Sequence, residues 1–194
     1  MESLPENPKD KKTALKIFGQ LLIDQGCTDS EEFKAITELR YQVDPEDIDL
    51  IDLVPEIPCS QRIPIYKEMK GRSSDPEEQN ALQYKIAACY LNMGSYNNAY
   101  AAAQKVSGEL ASKGLKIQAQ CVAATANSCG NSTFDRKCNY IYAAILMEEA
   151  GLDGSSFRAK APQFDTVFSG QHEEVTLICW GITIDLVTET IVSE

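Results

Sequence analysis

Histidine occurs only once in this sequence, at position 172, and none of the seven cysteines (27, 59, 89, 121, 129, 138 and 179) has a partner at Cys-x-x-Cys spacing. A zinc knuckle or a thioredoxin-type site therefore lacks its ligands, and no metal site is expected. Catalytic signatures are missing as well. There is no G-x-S-x-G elbow, no phosphate-binding glycine loop and no H-E-x-x-H helix, and His172 stands beside Glu173 and Glu174 in an apparent loop. The expectation is a protein that is not an enzyme and needs no cofactor. Cations are scarce: 18 Lys and Arg face 29 Asp and Glu, a net charge of −11. That sign is wrong for affinity gained by neutralising phosphates, which argues against nucleic acid. Its plain reading is a well-solvated acidic surface, and the same excess would raise the encounter rate with a basic partner.

Long uninterrupted apolar runs are absent too. The most apolar stretch, 175–192, contains Asp185 and Glu189, and each carboxylate at membrane depth would cost about 2.5–3.5 kcal/mol, so no membrane span is expected. Residues 1–12 are polar and carry two prolines, unlike a signal peptide, which points to a cytoplasmic protein unless a presequence has been removed. An odd number of cysteines leaves at least one unpaired in a monomer, and the reading is buried reduced thiols acting as small apolar side chains.

What is present is helical periodicity. Residues 1–11 read as a flexible N-terminus, and over 13–25 the apolar residues Ala14, Leu15, Ile17, Phe18, Leu21, Leu22 and Ile23 recur at three- and four-residue spacing until Gly26. Ser30 offers an N-cap for a second helix carrying Phe33, Ile36 and Leu39. The segment 44–64 has prolines at 45, 55, 58 and 64 among acids and aliphatic residues, and reads as an acidic, irregular linker. Its acids lack the glycine and terminal glutamate of a calcium loop. Asp75-Pro76-Glu77-Glu78 then supplies a cap, a proline at the first helical position and a glutamate three residues after the cap. Leu82, Ile86, Cys89, Tyr90 and Met93 make one apolar face before Gly94, and Ala99, Ala102, Ala103 and Val106 continue a second helix. Residues 116–129 and 135–150 form a third pair, closed by Gly151. The β-branched C-terminal stretch also satisfies helical spacing at Val175, Ile178, Ile182 and Leu186, so a capping helix is expected, with a strand as the alternative.

Residues 81–106, ALQYKIAACYLNMGSYNNAYAAAQKV, resemble a tetratricopeptide repeat, with Ile86 and Ala87 as the large and small pair of the first helix, Tyr90 as the aromatic one turn on, and Gly94, Tyr96 and Ala99 at the turn and the second helix. ALKIFGQLLIDQG repeats that register: Phe18 and Gly19 stand for Ile86 and Ala87, and Leu22 and Gly26 for Tyr90 and Gly94. A third copy places Val122, Ala123, Cys129 and Gly130 at the equivalent points. The resemblance implies an all-α fold of stacked antiparallel hairpins in a right-handed superhelix over 12–160, with 161–194 as a C-terminal capping segment. It implies that the first helices line a concave groove for a partner protein's peptide or helix, formed by Lys16, Gln20, Ile23, Tyr84, Ala88, Leu91, Asn92, Gln120, Ala124 and Asn127. Gln20 and Ala88 stand where the family's carboxylate clamp has asparagine. The function it implies is that of an adaptor, chaperone-like or assembly factor.

The cysteines permit a second resemblance. Eight residues separate Cys129 from Cys138 and twenty-nine separate Cys59 from Cys89, intervals similar to two in the insect odorant-binding proteins, secreted helical carriers of small apolar ligands. Lys85 or Met93 falls where that pattern requires another cysteine. Asn131-Ser132-Thr133 is a formal glycosylation sequon that would matter under this reading.

Overall fold

The computed structural model of the chain describes residues 6–28, 30–44, 57–162 and 174–192. Among them are eight α-helices, two short 3-10 turns and one three-stranded sheet, so the chain is mostly helical. It divides into two compact units, Met1–Met69 and Lys70–Glu194.

In the first unit, α1 (Pro8–Asp24) starts earlier than expected. Asn7 Oδ1 accepts the Lys9 amide at 3.0 Å and Pro8 occupies the first turn, so residues 8–11, read as flexible N-terminus, are helical. Gly26, at φ +72°, closes the helix as the Cys27 amide bonds back to the Leu22 carbonyl and the Gly26 amide to Ile23. The second helix, α2 (Glu31–Val43), is capped by Ser30 Oγ, which accepts the Phe33 amide at 3.1 Å. An ion pair between Lys12 and Asp44 joins the start of α1 to the end of α2, which makes the pair an antiparallel hairpin. Leu15 and Gly19 of α1 are buried, as are Phe33, Thr37 and Arg40 of α2. A Cβ on Gly19 would stand 3.0 Å from Arg40 Nη1, so only glycine allows this approach without a shift. Phe18 departs from its expected role. It is 51% exposed, whereas Ile86, its expected counterpart in 81–106, is 3% exposed.

The linker reading needs correction at its C-terminal end. Residues 45–56 lie outside the described residues, but Cys59–Arg72 is a helix, α3, and it contains Pro64. The Pro58 carbonyl accepts the Gln61 and Arg62 amides, starting the helix directly after a proline that reads as a breaker. An interior proline removes one backbone hydrogen bond at a cost of about 3 kcal/mol, so composition alone argued against this helix.

The second unit contains α4 (Pro76–Asn92), α5 (Tyr96–Ala103), α6 (Ala111–Thr125), α7 (Thr133–Glu149) and α8 (Ser155–Arg158), with 3-10 turns at Gly108–Leu110 and Ala126–Ser128. Asp75 Oδ1 accepts the Glu77 amide at 2.9 Å, and Ser132 with Asp135 forms a reciprocal capping box on α7. Gly94 (φ +69°) and Gly151 (φ +73°) end α4 and α7 with the same backbone closure as Gly26. Asn80 binds both backbone groups of Ser107, donating to its carbonyl at 2.7 Å and accepting its amide at 2.9 Å. The end of α5 is therefore folded back beside the start of α4. Leu82, Ile86, Ala87, Ala99, Ala103, Ile117, Cys121, Val122, Cys138, Ile141, Tyr142 and Leu146 make the core. Small residues allow the close crossings: a Cβ on Gly114 would lie 2.9 Å from Val106 Cβ and 3.0 Å from the Ala103 carbonyl oxygen.

The expected capping helix is not formed. Instead β1 (Glu174–Leu177), β2 (Ile182–Asp185) and β3 (Thr190–Ile191) make an antiparallel meander in which Leu177 pairs with Ile182 and Ile184 with Ile191. Leu177, Ile184 and Leu186 are buried, while Ile178, which helical spacing placed on the buried stripe, is 58% exposed in the β1–β2 turn. Its β-branched residues suit a pleated half-buried surface, Gly181 adopts φ +65° in the first turn, and Asp185 Oδ1 accepts the Val187 and Thr188 amides in the second. In α8, Arg158 binds Glu148 of α7 through two hydrogen bonds, at 2.8 and 2.7 Å, and pairs with Glu189 of the meander.

Candidate functional site

The residues expected to line a groove fall in both units. In the first, Lys16 is exposed, Gln20 is exposed and donates to Asp24 at 2.8 Å, and Ile23 is half-buried. In the second, Tyr84, Ala88 and Leu91 are half-buried along one side of α4, and Asn92 is exposed beyond them. Gln120 and Ala124 are exposed on α6, and Asn127 is exposed in the 3-10 turn that follows it.

Within the second unit α4 and α6 are neighbours. Lys113 of α6 places its ammonium 5.7 Å from the centre of the Tyr84 ring, a cation–π approach that links the two helix faces. Helical spacing puts Lys113, Gln120 and Ala124 on one side of α6, and Tyr84, Ala88 and Leu91 on one side of α4. The same side of α4 continues toward its start with Glu77 and Ala81. There Pro76, Glu77, Asn80 and Ala81 combine with residues 107–110 to line a cavity of about 450 Å³. None of the ten expected groove residues lines it.

The cavity arises where the chain turns from α5 into α6. The two hydrogen bonds from Asn80 to Ser107 hold that turn against α4, and Gly108 takes φ +56° to make it. Glu77 and Glu109, both exposed, give its rim negative charge. Sequence reasoning missed this feature, because an asparagine 27 residues from its partner leaves no periodic signal.

Buried reactive groups lie elsewhere. Burial pushes the Cys121 thiol up to about 12 and, with a smaller contribution from nearby Asp135, the Cys138 thiol to about 12 as well. Both are protonated at neutral pH and poor nucleophiles. Tyr100 and Tyr142 share an O–H···O hydrogen bond of 2.6 Å, and burial raises both phenol pKa values. The reading of all cysteines as reduced thiols is corrected at two positions. Cys129 and Cys179 form a disulfide across 50 residues, and Cys27, Cys59, Cys89, Cys121 and Cys138 are free. Three of the four cysteines behind the odorant-binding resemblance, at 59, 89 and 138, are thus unbridged. Spacing could not foresee the bridge, because its halves come from a helix–helix turn and a strand turn.

Among the described residues no group of three or more His, Cys, Asp and Glu side chains is placed to hold a metal, and no helix is long and apolar enough to cross a membrane. His172 lies outside the described residues. Compared with known proteins, the chain matches no family model, no curated protein and no solved structure.

Proposed function

We propose that this chain is a protein-binding module of tetratricopeptide-like hairpins, which holds a partner's peptide or helix along the side shared by α4 and α6 and acts without catalysis or cofactor. The observation that carries the reading is the 450 Å³ cavity at the start of α4, lined by Glu77 and Ala81, from which helical spacing leads to the half-buried Tyr84, Ala88 and Leu91. A pocket beside an apolar strip suits one anchoring side chain and a row of weaker contacts. Glu77 and Glu109 at the rim, in a chain of net charge −11, favour a basic anchor, Lys or Arg, with apolar residues following it. An adaptor, chaperone-like or assembly role is consistent with such a strip.

The test is selection of random displayed peptides on the full chain, followed by titration of the selected peptides. Lys- or Arg-bearing apolar peptides should emerge. They should lose about tenfold in affinity or more on Ala81→Trp, which fills the cavity, and on Tyr84→Ala, and be unaffected by Lys34→Glu on α2. Selected peptides that bind both site variants as well as the parent would show that this side is not the binding surface.

A further inference from the structure

We propose that the Cys129–Cys179 disulfide is a redox-operated latch, which holds the β1–β2 turn as a cover over the cluster formed by Tyr100, Tyr142 and Asn139. The turn, 178–181, meets the helices through two adjacent residues. Cys179 is bonded to Cys129 at the α6–α7 turn. Trp180 lies on Tyr100, ring centres 4.4 Å apart and planes tilted by 41°, and its Nε1 donates to Asn139 Oδ1 at 3.1 Å. Asn139, fully buried, donates in turn to the Cys129 carbonyl at 2.8 Å. The two halves of the bridge are therefore connected twice, once through sulfur and once through the Asn139 amide.

Access is one-sided. Cys129 is 2% exposed, whereas Cys179 is exposed in the turn, beside an exposed Ile178. A second cavity, of about 180 Å³, opens against Cys129 between the α6–α7 turn and β1. Cys179 is the exposed half of the bridge, the side from which a dithiol reductant approaches. The reductant's thiolate attacks the Cys179 sulfur, Cys129 leaves as thiolate and takes up a proton, and the reductant's second thiol releases Cys179. Two electrons and two protons pass to the protein and the reductant becomes a disulfide. Cys121 and Cys138, buried and protonated, do not compete for the bridge. After reduction the Asn139 connection alone retains the turn, while the buried Leu177, Ile184 and Leu186 and the Arg158–Glu189 pair keep the strands in place. Opening is therefore confined to the turn. When the turn recloses, the Trp180–Asn139–Cys129 connection brings the two thiols together again, and a disulfide oxidant, itself reduced to two thiols, restores the same pair.

Trp180 is the only tryptophan in the chain, so its emission reports on the cover directly. The experiment compares the full chain oxidised, reduced with dithiothreitol, and as Cys179→Ser, following emission, chymotrypsin cleavage after Trp180 and helical circular dichroism. Reduction should shift the emission to the red and raise the cleavage rate by about tenfold or more, with the helical signal retained, because the protease cuts the locally opened turn. The serine variant should behave as the reduced form and ignore the reductant. Emission and cleavage unchanged by reduction, or a collapse of the helical signal with them, would overturn the latch, as would seven free thiols in the untreated chain.

Discussion

The hairpins α1–α2 and α4–α5 close their first helices alike, yet they bury their apolar residues differently. Both first helices end at a glycine of nearly the same conformation, φ +72° at Gly26 and +69° at Gly94, with the same pair of closing hydrogen bonds. Both second elements return along the first. But Ala87, Ile86 and Leu82 are buried in α4, whereas Ile17, Phe18 and Leu21 of α1 remain 56, 51 and 48% exposed. The side chains that set the turn and the crossing belong to the hairpin itself. Burial of the remaining apolar side depends on a further layer, which α6 supplies to α4 and α5, with Tyr142 of α7 reaching Tyr100 of α5.

The comparison breaks most sharply on truncation of the paired large residues. Ile86→Ala should cost about 2–5 kcal/mol in urea unfolding, whereas Phe18→Ala should change stability by about 0.5 kcal/mol. Equal losses would mean that the exposed side of α1 is covered in solution. Alkali should act on the second unit next. Cys121 and Cys138 have folded pKa values of about 12 against an ordinary 9.0, and Tyr100 and Tyr142 are raised above 10.0. A value raised on folding gives stability that is complete below the unfolded pKa and lost as the pH climbs through the folded one. Unfolding midpoints followed by core-tyrosine absorbance should therefore hold to pH 9 and fall steadily toward pH 12. Gly114→Ala should cost about 1–3 kcal/mol, since its Cβ meets Val106 at 2.9 Å and the Ala103 carbonyl behind it. The smallest effects sharpen the likeness of the two hairpins: Ser30→Ala and Asp75→Ala each remove one cap bond and should each cost about 1 kcal/mol, read by amide exchange in the first turns of α2 and α4.

What was legible in the residues was local. The caps at Ser30 and Asp75 and the closing glycines at 26, 94 and 151 act within a few residues of themselves, so composition and spacing reveal them. The C-terminal segment misled because Val175, Ile178, Ile182 and Leu186 satisfy a helical period, while the residues actually buried, Leu177, Ile184 and Leu186, are chosen by what the hairpin packs on, which no local spacing reveals. The α3 helix was hidden by Pro58 and Pro64, whose local cost the fold outweighs. The expected groove residues follow a positional analogy along helix faces. The cavity beside them owes its shape to residues 107–110, a turn with no pattern of its own.

The Asn80 clamp has a dynamic meaning. A helical hairpin joined only at its turn is an open fork, whose free tips separate first and admit water from that end. With Asn80 fastening Ser107 across 27 residues, the α4–α5 pair is closed at both ends, at Gly94 and at the clamp, and has no loose tip from which to unzip. Amide hydrogens along its length should exchange together, as one block, instead of in a gradient from the open end.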